Sequence, residues 1–151
     1  MLMLVTQPAA WLSLILSIPR ILNPMIPEIA KTKGQVEAEI SEAIIKFEKE
    51  YMGRGPDEAK THMIDDMIVI RLQRVLTPAE QQLATSDGDA KGRSLIKQVR
   101  TELLEKARPL LEAMLWDITG RKIRSMHTDI STATGERIIV FTLDSVQCGS
   151  S

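Results

Sequence analysis

One long stretch constrains the fold more than any other. From about Arg93 to Ile118 apolar residues recur every three or four positions, at Leu95, Ile96, Val99, Leu103, Ala107, Leu110, Leu111, Met114 and Ile118. That period lines one face of a helix well above average length, and such a face must be covered by other elements. Leu104 and Leu115 lie off this stripe, and Trp116 adds another large apolar surface. Pro109 falls inside the stretch. It removes a backbone donor and crowds the preceding turn, so a kink or a break is expected near Lys106 to Arg108. Gly120 follows as a helix stop.

Two further helices announce themselves by their caps. Thr32 and Gln35 have the T-x-x-Q spacing of a capping box, and Val36, Ile40, Ala43, Ile44, Phe47 and Tyr51 follow on one face up to about Met52. Gly53 can end that helix in a left-handed conformation. Thr77-Pro78-Ala79-Glu80 repeats the capping pattern with proline in the first turn, and the short helix it opens stops near Ser86-Asp87-Gly88-Asp89.

Between the first two helices, Met63 to Gln73 reads as a strand. Ile68, Ile70 and Leu72 alternate with Val69, Arg71 and Gln73, giving one apolar and one mixed face. Ile123 to Ile130 and Arg137 to Leu143 read as a hairpin joined by Ser131 to Glu136, with Gly135 free to take positive φ. The expected fold is α+β in two layers, in the order α-β-α-α-β-β, with a three-stranded, mainly antiparallel sheet packed on the long helix. Aromatics make up only 3% of the chain, so its core has to be aliphatic.

The expected domain covers residues 31–144, preceded by a leader and proline-rich linker over 1–30 and followed by a disordered polar tail over 145–151. Met1 to Ile18 carries no charged side chain, and Trp11 to Ile18 is strongly apolar. The run is marginal for a transmembrane helix, which wants about 20 apolar residues, and it holds Gln7 and Pro8. It lacks the basic residues that precede a secretory core. The third reading is an alternative start, with Met25 as initiator. Pro19, Pro24 and Pro27 break any helix there and form the linker.

Charge is balanced, with 19 basic and 20 acidic residues, which gives no argument for a nucleic-acid partner. Cys148 is the single cysteine, so no internal disulfide forms, as suits a reducing compartment. No motif calls for a cofactor. The G-x-x-x-x-G-K phosphate loop is absent, and no serine or cysteine is marked as a nucleophile by its neighbours.

Four groups of polar residues can be weighed for chemistry. His127 and Asp129, two apart on a strand, share a face; such a pair can relay a proton or bind a ligand, but most often is a hydrogen-bonded surface pair. His62 with Asp65, Asp66 or Asp129 would complete a metal triad only if the fold brought them to His127. Arg54, between Gly53 and Gly55, can present a guanidinium to an anion, although a helix stop and turn explain the same residues. Arg121, Lys122, Arg124 and Arg137 cluster by the hairpin, where basic residues usually form a solvated face and discourage edge pairing.

Three segments together resemble the MpsC-like (YbcI-like) family. They are Lys33 to Ser41, the turn Gly53-Arg54-Gly55-Pro56, and the run His127-Thr128-Asp129-Ile130-Ser131-Thr132-Ala133-Thr134-Gly135-Glu136 continuing to Phe141. The likeness covers about residues 31 to 144 and leaves the leader without a counterpart. It implies a small cytoplasmic accessory protein, peripheral at the inner face of the membrane, beside a membrane-potential-generating, bicarbonate- or cation-handling system whose other subunits carry the transport. It also implies that a ligand site, if one exists, draws on Arg54, His127, Asp129, Thr132 and Glu136, with a small anion as ligand. It assigns none of them a role. A non-enzymatic accessory or regulatory protein is the first expectation, a small-anion or nucleotide sensor the second, and an enzyme using His127 with Asp129 the third. Open sheet edges and surplus apolar residues on the long helix also lead us to expect a homodimer, formed by helix packing or edge pairing; the resemblance implies, in addition, partners in a membrane transport complex.

The leader yields a direct test. A chain beginning at Ile26 is expected to unfold as cooperatively, and at the same temperature, as the full chain. Loss of a sharp thermal transition on truncation would place the leader in the core.

Overall fold

The computed structural model describes residues 30–85 and 90–145. The leader and linker up to residue 29, the Ser86–Asp89 turn and the tail from residue 146 lie outside the described residues. The chain divides into two units, Met1–Lys31 and Thr32–Ser151, and the fold is that of the second.

Its elements are α1 (Lys33–Tyr51), β1 (Glu58–Ile64), β2 (Met67–Gln73), α2 (Pro78–Thr85), α3 (Ala90–Thr119), β3 (Ile123–Ile130) and β4 (Arg137–Leu143). The strands form one four-stranded sheet in the order β1-β2-β4-β3, with every neighbouring pair antiparallel. This corrects the expected three-stranded sheet and the order α-β-α-α-β-β: the order is α-β-β-α-α-β-β. The single strand expected from Met63 is in fact the end of one strand and the whole of the next. Ile64 pairs with Met67, so Asp65 and Asp66 alone make the turn, and Asp65 takes a left-handed φ of 52°. Aspartate tolerates that conformation better than most residues. The new strand, β1, lies at a sheet edge with Lys60 and His62 exposed and only Thr61 buried. Its inward positions are Ala59, Thr61 and Met63, and a small and a polar residue at two of the three leave only a weak apolar alternation, as an edge strand allows.

The caps form as the spacing requires. Thr32 accepts from the Gln35 N–H at 3.2 Å and donates its own N–H to Gln35 Oε1 at 2.9 Å. Thr77 N–H donates to Glu80 Oε2 at 2.7 Å, and Glu80 N–H donates to Thr77 Oγ1 at 3.3 Å. Gly53 and Gly135 take φ of 84° and 70°, ending α1 and closing the β3–β4 turn. β3 and β4 coincide with the two hairpin strands read from the sequence.

One face of the sheet is buried. Ile68, Ile70 and Leu72 of β2 lie beside Phe141, Ile139 and Arg137 of β4, and Met126 and Ile130 of β3 extend the row outward. α1 and α3 pack on the sheet, α1 chiefly against β1 and α3 against β3. The core is aliphatic apart from Phe47 and Phe141. The opposite face, centred on Val69 and Val140, carries no helix of the described residues and stays partly exposed.

The long helix runs through Pro109 without a break. Pro109 is on its exposed side, where water can satisfy the carbonyl that loses its donor. The helix is rotated from the expected phase. Its buried line is Ile96, Arg100, Leu104, Ala107, Leu111 and Leu115, while Leu95, Val99 and Leu110 are 49%, 45% and 56% exposed. The reason is Arg100, a charged residue on the inner face that an apolar pattern excludes.

The rotation is measurable. Leu104→Ala should cost about 2–5 kcal/mol in urea unfolding, as for a fully buried leucine. Leu95→Ala should stay within about 0.5 kcal/mol, as for an exposed position. Equal costs at the two positions would contradict the phase.

Candidate functional site

The strongest concentration of charge lies inside the domain. Helical spacing places Arg100 one turn from both Ile96 and Leu104, so it must point inward with them. Strand alternation does the same for Arg137, two residues before buried Ile139. Glu48 sits one turn beyond buried Ile44 at the end of α1. Side-chain exposure is 2% for Arg100, 1% for Arg137 and 0% for Glu48.

Each of these groups is paired. Arg137 Nη1 donates to Glu48 Oε1 at 3.1 Å, and Arg100 Nη1 approaches Glu48 Oε2 at 3.5 Å. Arg100 also grips Glu80 with two bonds of 2.8 Å, from Nε and Nη2, and Nη2 donates to the Val75 carbonyl at 2.8 Å. Arg137 Nη2 donates to the Arg100 carbonyl at 3.0 Å, and its Nε donates to Thr128 Oγ1 at 3.2 Å. Two positive and two negative groups thus close on one another, joining α1, α2, α3 and β4. Glu80 caps α2 with the same carboxylate that holds Arg100.

Burial is the largest influence on Glu48 and pushes its carboxyl up, against the pull of Arg137 and Arg100. Burial also lowers Arg137 against Glu48. At Glu80 burial acts upward, but the bonds from Arg100 and Thr77 outweigh it and hold the carboxyl below the ordinary value of 4.5. With every charged group occupied, the cluster is a structural lock. Sequence reading missed Glu48, Glu80 and Arg100 as partners. The available signal was a charge in phase with the buried residues one turn away on either side.

The residues singled out from sequence are dispersed. Arg54 lies in the turn before β1 and bonds Asp57 Oδ1 at 3.2 Å, while its Nε is buried without a partner. His127 and Asp129 do share the open face of β3, both exposed. They do not bond each other: His127 Nε2 lies 3.2 Å from Ser125 Oγ, and Asp129 accepts from Lys97 Nζ at 2.9 Å. That bond is the main cause holding the Asp129 carboxyl below its ordinary value. Thr132 sits in the β3–β4 turn, and Glu136 accepts from Arg71 Nε at 2.6 Å. Arg54 adjoins the β1 edge and His127 is on the β3 edge, with β2 and β4 between. The geometry therefore does not gather the five into one cleft.

His62, Val69, Val140 and His127 form one row across the open face. Three strand spacings separate the histidines, about 14 Å, too far to share an ion. Of the basic cluster, Arg137 turned inward, whereas Arg121, Lys122 and Arg124 line a surface depression of about 710 Å³ beside Trp116. There Arg121 Nη2 donates to the Asp144 carbonyl at 2.8 Å and its Nε is buried without a partner.

Two tests follow from the buried cluster. Glu48→Ala should cost about 3–5 kcal/mol in chemical unfolding, because it strands two buried guanidinium groups. Glu80 is lowered on folding, so its contribution is complete above pH 4.5 and is lost as pH falls through its folded value. Glu80→Gln should flatten that part of the stability–pH curve, and an unchanged acid limb would contradict the pairing.

The described domain coincides with a family model. Residues 32–145 match the model described as "Na+-translocating membrane potential-generating system (MpsC)". Among curated proteins, the uncharacterized protein YbcI of Bacillus subtilis strain 168 is 45% identical over 113 residues, covering 75% of this chain and 89% of the relative. The uncharacterized protein YrhF of the same organism is 28% identical over 108 residues, covering 70% and 85%. No solved structure matches. The matched span takes in all seven elements and both halves of the buried charge cluster, and on that extent the chain belongs to the MpsC family.

Proposed function

We propose that this domain is a non-catalytic accessory subunit of a sodium-translocating system that generates membrane potential, bound at the cytoplasmic face of the membrane. The observation that carries the reading is the family match over the whole described domain, with the system named in the family's description. Among the described residues no helix is long and apolar enough to cross a membrane. In this reading the ion path belongs to partner subunits, and the domain acts by contact with them.

The open face of the sheet supplies a surface for such contact. Val69 and Val140 form its apolar centre, His62 and His127 flank them, and the Arg71–Glu136 pair lies beside them. An apolar centre with a polar rim is the usual composition of a protein interface. The antiparallel sheet stays intact when one face is solvated, so the face is free for a partner without cost to the fold.

The test joins assembly to activity. Deleting the gene in its native cell should reduce the sodium-dependent membrane potential read by a potential-sensitive dye, and the tagged chain should co-purify with integral membrane subunits of that system. Val140→Asp, on the open face, should abolish both effects while leaving the circular dichroism spectrum unchanged. A deletion strain with normal potential would overturn the proposal.

A further inference from the structure

The rotation of α3 leaves an apolar line on its outer side. Leu95, Val99 and Leu110 are about half exposed, and half-buried Leu103 and Met114 continue the line. Their spacing keeps them on one side of the helix, with Leu95 and Met114 about 28 Å apart along the axis. A line of this kind on the surface of a soluble domain marks an association surface. Two charges interrupt it, Glu102 and Lys106, both exposed. Neither has an ion pair or hydrogen bond among the described residues, in contrast to the neighbouring Arg108–Glu112 pair at 2.8 Å.

The order of residues is self-complementary. When the helix is laid antiparallel on a copy of itself, with the two-fold axis level with residue 104, position 102 of one copy faces position 106 of the other. Glu102 then meets Lys106 twice, once on each side of the axis. The apolar halves meet as well: Leu95 arrives level with Ala113, and Val99 beside Pro109 and Leu110. Next to Leu110 and Met114 lies a mainly apolar groove of about 300 Å³, walled on its other side by Ala43, Phe47 and Tyr51 of α1, with Lys46 and Glu50 of the same helix also lining it. It opens at the level where Leu95 of a second copy would arrive.

We infer that two copies of this chain pair through the outer face of α3, antiparallel about a two-fold axis level with residue 104, with Glu102 of each copy facing Lys106 of the other and Leu95 of each seated in the α1–α3 groove of the other. The interface is isologous, so one patch serves both copies. It leaves the open sheet face uncovered, so self-association and the subunit contact proposed above use different surfaces and can fail separately.

Charge exchange in the purified full chain tests this directly, with mass read by light scattering across a micromolar dilution series. The unaltered chain should be a dimer. Glu102→Lys places lysine against Lys106 twice and Lys106→Glu places glutamate against Glu102 twice, so each should weaken the dimer at least tenfold. The double variant E102K/K106E restores opposite charges and should return dimerisation to within about threefold of the unaltered chain. An equimolar mixture of the two single variants should form a heterodimer, because their charges complement each other. Val99→Glu should give a monomer with an unchanged circular dichroism spectrum. A monomeric unaltered chain, single variants that dimerise normally, or a double variant that stays monomeric would each overturn the inference.

Discussion

Three charges held out of water, Glu48, Arg100 and Arg137, together with the partly exposed Glu80 that Arg100 grips, set the geometry of this domain. An isolated charge in such a place costs several kcal/mol, and only close pairing offsets it. Here the pairing is reciprocal and includes the Val75 and Arg100 carbonyls and the Thr128 hydroxyl. The helices could slide along the apolar sheet face at little cost if aliphatic contacts alone held them, because those contacts are non-directional. The guanidinium–carboxylate bonds are directional, and they fix α1, α2 and α3 against β4. Removing one partner of such a cluster leaves an uncompensated buried charge, which is strongly destabilising.

The outer surface follows from that inner constraint. Arg100 must meet Glu48 and Glu80, so Ile96, Leu104, Ala107, Leu111 and Leu115 turn inward with it and Leu95, Val99 and Leu110 turn out. The exposed line on α3 is therefore a consequence of where the buried arginine points. The second partly apolar surface, around Val69 and Val140, has a different origin: among the described residues, the helices that pack on the four-stranded sheet, α1 and α3, cover a single face.

That organisation suits a family described by the system it serves. Of the polar residues that drew notice in the sequence, Arg54, Asp129 and Glu136 are bound in local ion pairs with Asp57, Lys97 and Arg71, and His127 lies beside Ser125. None of these pairs forms a nucleophile–base arrangement. What the domain presents outward is the partly apolar centre of its open sheet face and the half-exposed Leu95, Val99 and Leu110 of α3.

The sequence alone determined what depends on neighbours a few residues apart. The Thr32 and Thr77 caps, the Gly53 and Gly135 conformations and the bounds of β3 and β4 are each settled by bonds or backbone preferences within about four residues, or by alternation along one strand. The shared face of His127 and Asp129 was legible for the same reason. Only the tertiary structure decided the fourth strand, the phase of α3 and the buried charges. β1 alternates only weakly, with Ala59, Thr61 and Met63 on its inner side, and is held largely by its backbone bonds to β2. Arg100 looks like a surface residue until Glu48, 52 positions away, is beside it, and Arg137 does so until the same carboxylate, 89 positions away, accepts its bond. A buried charge is stable only with its partner, and although the phase of Arg100 hints at its burial, a partner that distant in the chain cannot be read from local periodicity.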